Sequence, residues 1–233
     1  MATLFLIPTS LGDDKLEKVI PNYNYQIINE TKHFIVENIR TARRFLKKIN
    51  PHIHIDSLHF YELNKHTSAQ EVNTFLEPLK QNFNVGVISE SGCPCIADPG
   101  AEIVSLAHQM KFTVKPLVGP SSILLSLMAS GFNGQSFTFL GYLPIALSEK
   151  TKSIKHMERK VYAKNQTQIF IETPYRNIKT FQDIITTCQV STKLCIAYDL
   201  TLPTENIKTK SIKEWKKETP DIHKKPCIFL LYK

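Results

Sequence analysis

At 233 residues, 42% hydrophobic and with a formal net charge of +8, the chain has room for one large domain or two of about 115 residues. No apolar run is long enough to span a bilayer, and five cysteines, an odd number, give no paired framework, so reduced cytosolic thiols are the simplest reading. The basic balance favours acidic partners, whether RNA, DNA or polycarboxylate small molecules, without choosing among them.

The N-terminus, Met1 to Pro8, lacks a basic leader and reads as a strand from Thr3 to Pro8, which argues against a signal peptide. Further strands are expected at Phe34–Glu37, Ser57–Tyr61, Val85–Ser89 and Phe112–Leu117. Arg40–Ile49, Ala69–Leu79 and Pro99–Met110 carry helical periodicity between them. This alternation predicts a mainly parallel sheet covered by helices. Leu117 to Pro120 reads as a hinge, followed by an apolar helix, Ser121–Ser130, that stops at Gly131. A second set of strands follows at Phe137–Tyr142, Thr167–Glu172, Lys193–Asp199, Glu205–Thr209 and Pro226–Tyr232. Helices are expected at Glu149–Arg159 and Asn177–Cys188. The expected architecture is α/β: an N-terminal domain over 1–117 with a mainly parallel sheet and a C-terminal domain over 118–233 with a mixed one. The cleft between them is the natural ligand site.

Two stretches carry chemistry. Ser89–Gly100 joins a buried strand to a helix through a bend of glycines and prolines, the position where open α/β sheets bind small molecules. Small residues there let a ligand approach the backbone. Glu90 offers a carboxylate to ligand amines or hydroxyls, while Asp98 reads as the N-cap of the next helix, with Pro99 in its first turn. The second stretch is the helix after Glu37. Arg40, Arg43, Arg44, Lys47 and Lys48 share one face of it, opposite Ile39, Ala42, Phe45, Leu46 and Ile49. Five cations without interleaved acids repel one another, so an acidic surface is expected opposite, the alternative being a solvated face. Cations also concentrate over Lys150–Lys164 and Lys208–Lys225, again with solvated helix faces as the simpler reading. Cys93 and Cys95 lack the second ligand pair that a zinc site needs, and no metal is expected.

Five motifs occur in order along nearly the whole chain. Ile7-Pro8-Thr9-Ser10-Leu11-Gly12 resembles the P-T-x-x-G-N opening of the tetrapyrrole methylase superfamily, and Ser89–Gly100 resembles the S-D-A-G-x-P-x-x-x-D-P-G of its ribosomal RNA small subunit 2′-O-methyltransferase I branch. Val118 to Ser122 is similar to that branch's P-G-P loop, Phe139 to Pro144 to its F-x-G-F-L-P, and Ile171 to Arg176 to its Y-E-S-x-x-R. The resemblance implies two α/β domains, a homodimer, a cytoplasmic enzyme, and S-adenosylmethionine held in the interdomain cleft. It places Ser89, Glu90, Gly92 and Ile96 on the cofactor from the first domain, Ser121 and Ser122 at the hinge, and Leu143 and Glu172 on the second domain. For Ile96 and Leu143 the alternative is a core position; for Ser121 and Ser122, a helix cap; for Glu172, a strand-end acid bonded to Arg176.

The acceptor implied by the resemblance is RNA, of the small ribosomal subunit. Arg43, Arg44 and Lys47 are the candidate substrate contacts. Glu37 would orient or deprotonate a ribose hydroxyl and Arg40 grip a phosphate, an ion pair between those two being the alternative. Asp13 stands for the branch's Asn, Glu90 for its Asp, Asn38 for the second acid of E-D-T-R, Tyr198 for the arginine of R-E-L-T, and Phe132-Asn133 for leucine-proline. The chain also stops at its last strand, where members often continue into a small helical domain, so a divergent, shortened relative is expected. These departures keep two other readings open: methyl transfer to a tetrapyrrole-like acidic substrate, and a non-catalytic cofactor- or RNA-binding module. A dinucleotide oxidoreductase is disfavoured, since no G-x-G-x-x-G opens the first helix. Gly92→Val is expected to abolish cofactor binding and leave the fold intact.

Overall fold

A computed structural model describes residues 2–64 and 66–233. The chain divides into two compact units, Met1–Ser121 and Ser122–Lys233.

The first unit contains β1 (Thr3–Ile7), α1 (Asn22–Glu30), β2 (His33–Val36), α2 (Ile39–Ile49), β3 (His59–Glu62), α3 (Ala69–Thr74), α4 (Glu77–Lys80), β4 (Val85–Ile88), α5 (Ala101–Gln109) and β5 (Thr113–Pro116). Its strands form a parallel sheet in the order β3-β2-β4-β1-β5. Side chains alternate across that sheet with the period of two that a strand imposes. Phe5, Ile7, Phe34, Val36 and Ile88 join a core with Ile27 and Ile28 of α1 and Ala42, Phe45 and Leu46 of α2. Leu4, Ile35, Val85 and Val87 face the other way, against Val72, Leu79, Ile103 and Ala107. Burial on both faces explains why β4, Val-Gly-Val-Ile, has no polar residue. Adjacent strands β2 and β4 lead onward in opposite directions, to β3 and β5, which makes their carboxyl ends a topological switch point.

The second unit contains α6 (Ser122–Ser130), β6 (Phe137–Tyr142), α7 (Leu147–Lys164), β7 (Thr167–Glu172), a single 3-10 turn (Pro174–Arg176), α8 (Asn177–Thr187), β8 (Lys193–Tyr198), β9 (Asn206–Ser211), α9 (Ile212–Trp215) and β10 (Cys227–Tyr232). The sheet order is β6-β7-β10-β8-β9, with β6 and β7 parallel and the remaining pairs antiparallel, so this sheet is mixed as expected. α7 and α8 cover one face through Ile154, Met157, Val161, Phe181 and Ile184. Trp215 closes that core edge-on to Phe181 and donates its indole N–H to the Leu194 carbonyl at 2.8 Å.

Some expectations are corrected. The helix read as Ala69–Leu79 breaks at Phe75 and Leu76, because Pro78 has no N–H to continue it and instead sits in the first turn of α4. α5 begins at Ala101 with Gly100 as its N-cap, so Asp98 is not the cap; its Oδ1 accepts from the backbone N–H of Cys95 and of Gly100, both at 2.8 Å, and closes the preceding loop. α1 was not anticipated, since three asparagines dilute its apolar signal, yet Asn24 is buried and donates to the Val118 carbonyl at 2.8 Å. Among the described residues no helix is long and apolar enough to cross a membrane.

Candidate functional site

At the carboxyl edge of the parallel sheet the loops leaving β1, β2 and β4 come together. The Thr9 N–H donates to the Gly92 carbonyl at 3.0 Å and the Ser89 hydroxyl donates to the same oxygen at 2.6 Å, binding the first motif to the second. Gly92 holds φ +74, in the left-handed region. A Cβ there would lie 3.0 Å from Leu11 Cδ2 and 3.2 Å from the Pro120 carbonyl. The glycine is therefore demanded by the backbone. This corrects the expectation for Gly92→Val, which strains the fold as well as the site. Cys95 and Ala97 also take positive φ, 67° and 63°, so one short loop holds two non-glycine residues in a sparsely populated region. Such strain persists only where surrounding bonds hold it, here those to Asp98. Ile96, next to these residues, leaves half its side chain in solvent (53% exposed). The Cys95 thiol is pushed up to about 11, by burial first and then by Asp98, which keeps it protonated near neutrality.

Glu37 follows β2 and is half-buried. Burial first, then the neighbouring Asp98 carboxylate, push its carboxyl above the usual range; the Glu90 backbone N–H offsets part of this and the Glu90 carboxylate adds to it. Among the described residues no ion pair joins Glu37 to Arg40, so the strand-end bridge between them does not form. Glu90 accepts a short hydrogen bond from the Thr41 hydroxyl at the start of α2, which ties the β4 loop to the basic helix. Asn38, where the branch has an acid, caps α2 by accepting from the N–H groups of Arg40 and Thr41 at 2.9 and 3.2 Å.

The basic face of α2 is less free than its sequence suggests. Arg43 pairs with Asp56 at 2.6 Å, and Lys48 pairs with Asp13, the acid that departs from the branch pattern. Lys47 donates to the carbonyls of Pro51 and Ile53, at 3.1 and 2.8 Å. Both ion pairs are solvent-exposed and worth at most about 1 kcal/mol each. Among the described residues no ion pair or hydrogen bond engages the guanidinium of Arg40 or Arg44. An open groove of about 1230 Å³ runs along this face, lined by Thr9, Ser10, Arg40, Arg44, Ser89 and Glu90 among others.

The remaining candidates lie at the unit boundary and in the second unit. Ser121 ends the first unit and Ser122 opens α6. Leu143 is buried in the second unit's core. The Glu172 carboxylate is buried and fully occupied: Oε1 accepts from Arg176 Nη2 at 2.6 Å and the Thr173 N–H at 2.7 Å, and Oε2 accepts from the Thr180 hydroxyl at 2.9 Å. The strand-end bond to Arg176 is thus present. Sequence reasoning missed the cation behind it, Lys150, only 2% exposed, with its Nζ 3.9 Å from Glu172 Oε2 and 3.3 Å from Asp183 Oδ2. Asp183 Oδ2 is buried without a hydrogen bond, so its contact with Lys150 is charge pairing without good alignment. Lys150 sits in a lysine-rich run, and only the burial of its helix face marks it out.

No family model matches the sequence. The chain is 26% identical, over 234 residues, to a Vibrio cholerae serotype O1 protein named ribosomal RNA small subunit methyltransferase I, with 98% of this chain and 76% of that protein covered. The solved structure of the methyltransferase CobJ matches with a TM-score of 0.66 at 14% identity, covering 100% of this chain and 94% of that one. CbiF, a cobalt precorrin-4 methyltransferase of cobalamin biosynthesis, matches with a TM-score of 0.60 at 16% identity, covering 99% and 94%. At these identities the two structures speak for the fold, and it is the one the motifs implied.

Proposed function

We propose that this chain, a divergent relative of the ribosomal RNA small subunit methyltransferase I proteins, is an S-adenosylmethionine-dependent methyltransferase acting on a ribose 2′-hydroxyl of RNA. The observation that carries the reading is the carboxyl edge of the parallel sheet. There the loops bearing Thr9, Glu37 and Ser89–Gly100 meet beside a basic helix, in a chain aligned over nearly its full length with proteins of that name. The residues present suit the cofactor: the Thr9 hydroxyl is buried with no hydrogen-bond partner among the described residues, and Ile96, in the chain's second motif, exposes apolar surface. When bound, S-adenosylmethionine supplies an activated sulfonium methyl. Thr9, Ser89, Glu90, Gly92 and Ile96 hold the cofactor, with Ser121 and Ser122 at its border. Leu143, packed in the second unit's core, and Glu172, occupied by Arg176 and Thr180, act within that unit as positioning residues. A ribosomal RNA acceptor implies a cytoplasmic site of action.

Glu37 orients or deprotonates the acceptor hydroxyl, and its raised carboxyl brings its proton affinity closer to the task. Transfer is then expected to rise with pH through a limb above the ordinary carboxylate range, and a pH–rate profile of Glu37→Gln should lack that limb. Linkage gives stability the opposite sign. The folded state holds this proton more tightly than the unfolded chain, so the group's contribution is full at low pH and fades as pH rises through its native value. A profile unchanged by the substitution would remove Glu37 from the role.

Arg40 and Arg44, one turn apart and unpaired, grip RNA phosphates, whereas Arg43 and Lys47 hold the helix to the protein. Arg40→Ala with Arg44→Ala is expected to flatten the salt dependence of single-strand RNA binding by about 1.4 in log–log slope, roughly 0.7 for each lost contact. Arg43→Ala with Lys47→Ala should leave the slope near its original value; the reverse ranking would reassign the contacts. An open, arginine-lined groove favours RNA over a macrocycle, which asks for a closed apolar cleft. Side chains such as Met128 and Tyr142, 79% and 57% exposed, support the homodimer, and sedimentation velocity showing only monomer would exclude it. The deciding experiment is transfer of labelled methyl to small ribosomal subunits from a strain lacking this gene. Label on a ribose is expected; cofactor binding without label on RNA would overturn the reading.

A further inference from the structure

The turn after β7 presents an aromatic ring in an unusual way. Tyr175 is 75% exposed, yet the backbone beneath it is fixed from two sides. On one side the buried Glu172 holds Arg176, whose Nε also donates to the Thr173 hydroxyl at 2.9 Å. On the other side buried Asn177 donates to the carbonyls of Ile222 and Lys225, at 3.1 and 2.6 Å, clamping the loop that enters β10. The Lys224 N–H donates to the Pro174 carbonyl at 3.2 Å and joins loop to turn. Lys224 itself holds φ +60, and its Nζ lies 5.9 Å from the centre of the Tyr175 ring. Its neighbour Lys225 is paired with Asp221 at 2.9 Å and covers the Tyr198 ring at 4.5 Å; no ion pair of the described residues includes Lys224.

Buried polar anchors are costly to desolvate, and what these fix in place is one exposed ring and one unpaired cation. An exposed aromatic face beside a free cation is the arrangement on which unpaired bases stack, since every base has a π-face and every linkage a phosphate. We propose that Tyr175 and Lys224 form a stacking platform for an unpaired nucleobase of the acceptor RNA, with Lys224 meeting an adjacent phosphate. This rests on the RNA methyltransferase reading above. The platform lies at the end of the second sheet where Glu172 ends β7, so it belongs to the same set of loops as the second unit's candidate site residues.

The test is fluorescence anisotropy of the full chain, saturated with S-adenosylmethionine, against a labelled single-stranded oligoribonucleotide and its duplex. Tyr175→Ala is expected to weaken single-strand binding about tenfold, and Tyr175→Phe to stay within about twofold of the original protein. Lys224→Ala should lower the log–log salt slope by about 0.7, and duplex binding should not respond to Tyr175→Ala. Urea midpoints confirm that these surface variants fold. Original protein that binds the strand while Tyr175→Ala binds it equally well refutes the platform alone. Original protein that binds the cofactor and no RNA refutes the underlying reading, and the platform with it.

Discussion

Replacing Glu172 with Ala is expected to cost the second unit about 3–5 kcal/mol, enough to shift its urea midpoint far down or to abolish cooperative unfolding. The charges around this carboxylate balance: Glu172 and Asp183 against Lys150 and Arg176. Lys150 is buried, so deleting Glu172 frees Arg176 and leaves the Lys150 ammonium with only the poorly aligned Asp183 to compensate it. Lys150→Met, which strands the opposite sign, should destabilise for the same reason. Lys150→Met together with Asp183→Leu removes a matched pair, keeps the bond between Glu172 and Arg176, and should recover most of the loss. Equilibrium urea denaturation of the three variants reads this directly. A Glu172→Ala protein with an unchanged midpoint and lost cofactor affinity would mean that the residue serves the ligand and not the fold. Tyr175 connects the two roles, because the turn that carries it hangs from Glu172 and Arg176.

Much of this architecture is visible in the sequence because the central strands of both sheets are buried and amphipathic order survives in the chain. Val85-Gly86-Val87-Ile88 reads as a buried strand, and the period of α2 separates its apolar and basic faces without ambiguity. The break before Pro78 is not read from the sequence, because the apolar period runs on through Ala69–Leu79, although a proline inside an uninterrupted helix forfeits a hydrogen bond. What could not be read is pairing across the chain. Asp56 and Asp13 lie thirteen and thirty-five positions from the cations they neutralise, and no local pattern announces either. The same holds for Lys150, whose partners come from β7 and α8. Charge counted along a helix overstates free charge: of the five cations on α2 two are neutralised by Asp56 and Asp13, and a third, Lys47, keeps its charge but is held by backbone carbonyls. Asn38 shows the converse: where the branch's motif has an acid, this chain has a residue that caps the helix well.

Gly119→Ala is expected to be the most damaging single-methyl change in the first unit. A Cβ at that position would lie 2.2 Å from Pro8 Cγ and 2.4 Å from Pro8 Cβ, and a proline ring cannot rotate away. Either the exit of β1 or the segment after β5 must move. The cost falls in the range of an overpacked core, about 1–3 kcal/mol. The displacement also reaches the proposed site, because Pro8 precedes Thr9, whose N–H bond to Gly92 unites the two motifs proposed to hold the cofactor. Gly92→Ala differs in kind: the new methyl is only tightly placed, 3.0 Å from the movable Leu11 Cδ2 and 3.2 Å from the Pro120 carbonyl, and φ +74 costs an L-residue about 1–2 kcal/mol besides. Gly134→Ala meets nothing within 4 Å and should change stability by less than about 0.5 kcal/mol, which makes it the control. Calorimetric titration with S-adenosylmethionine, run beside thermal unfolding, should rank affinity loss with Gly119→Ala and Gly92→Ala far above Gly134→Ala. Full affinity in Gly119→Ala would show that the contact between Pro8 and Gly119 does not set the geometry of the cofactor loops, and the site would then have to be sought away from this edge of the sheet.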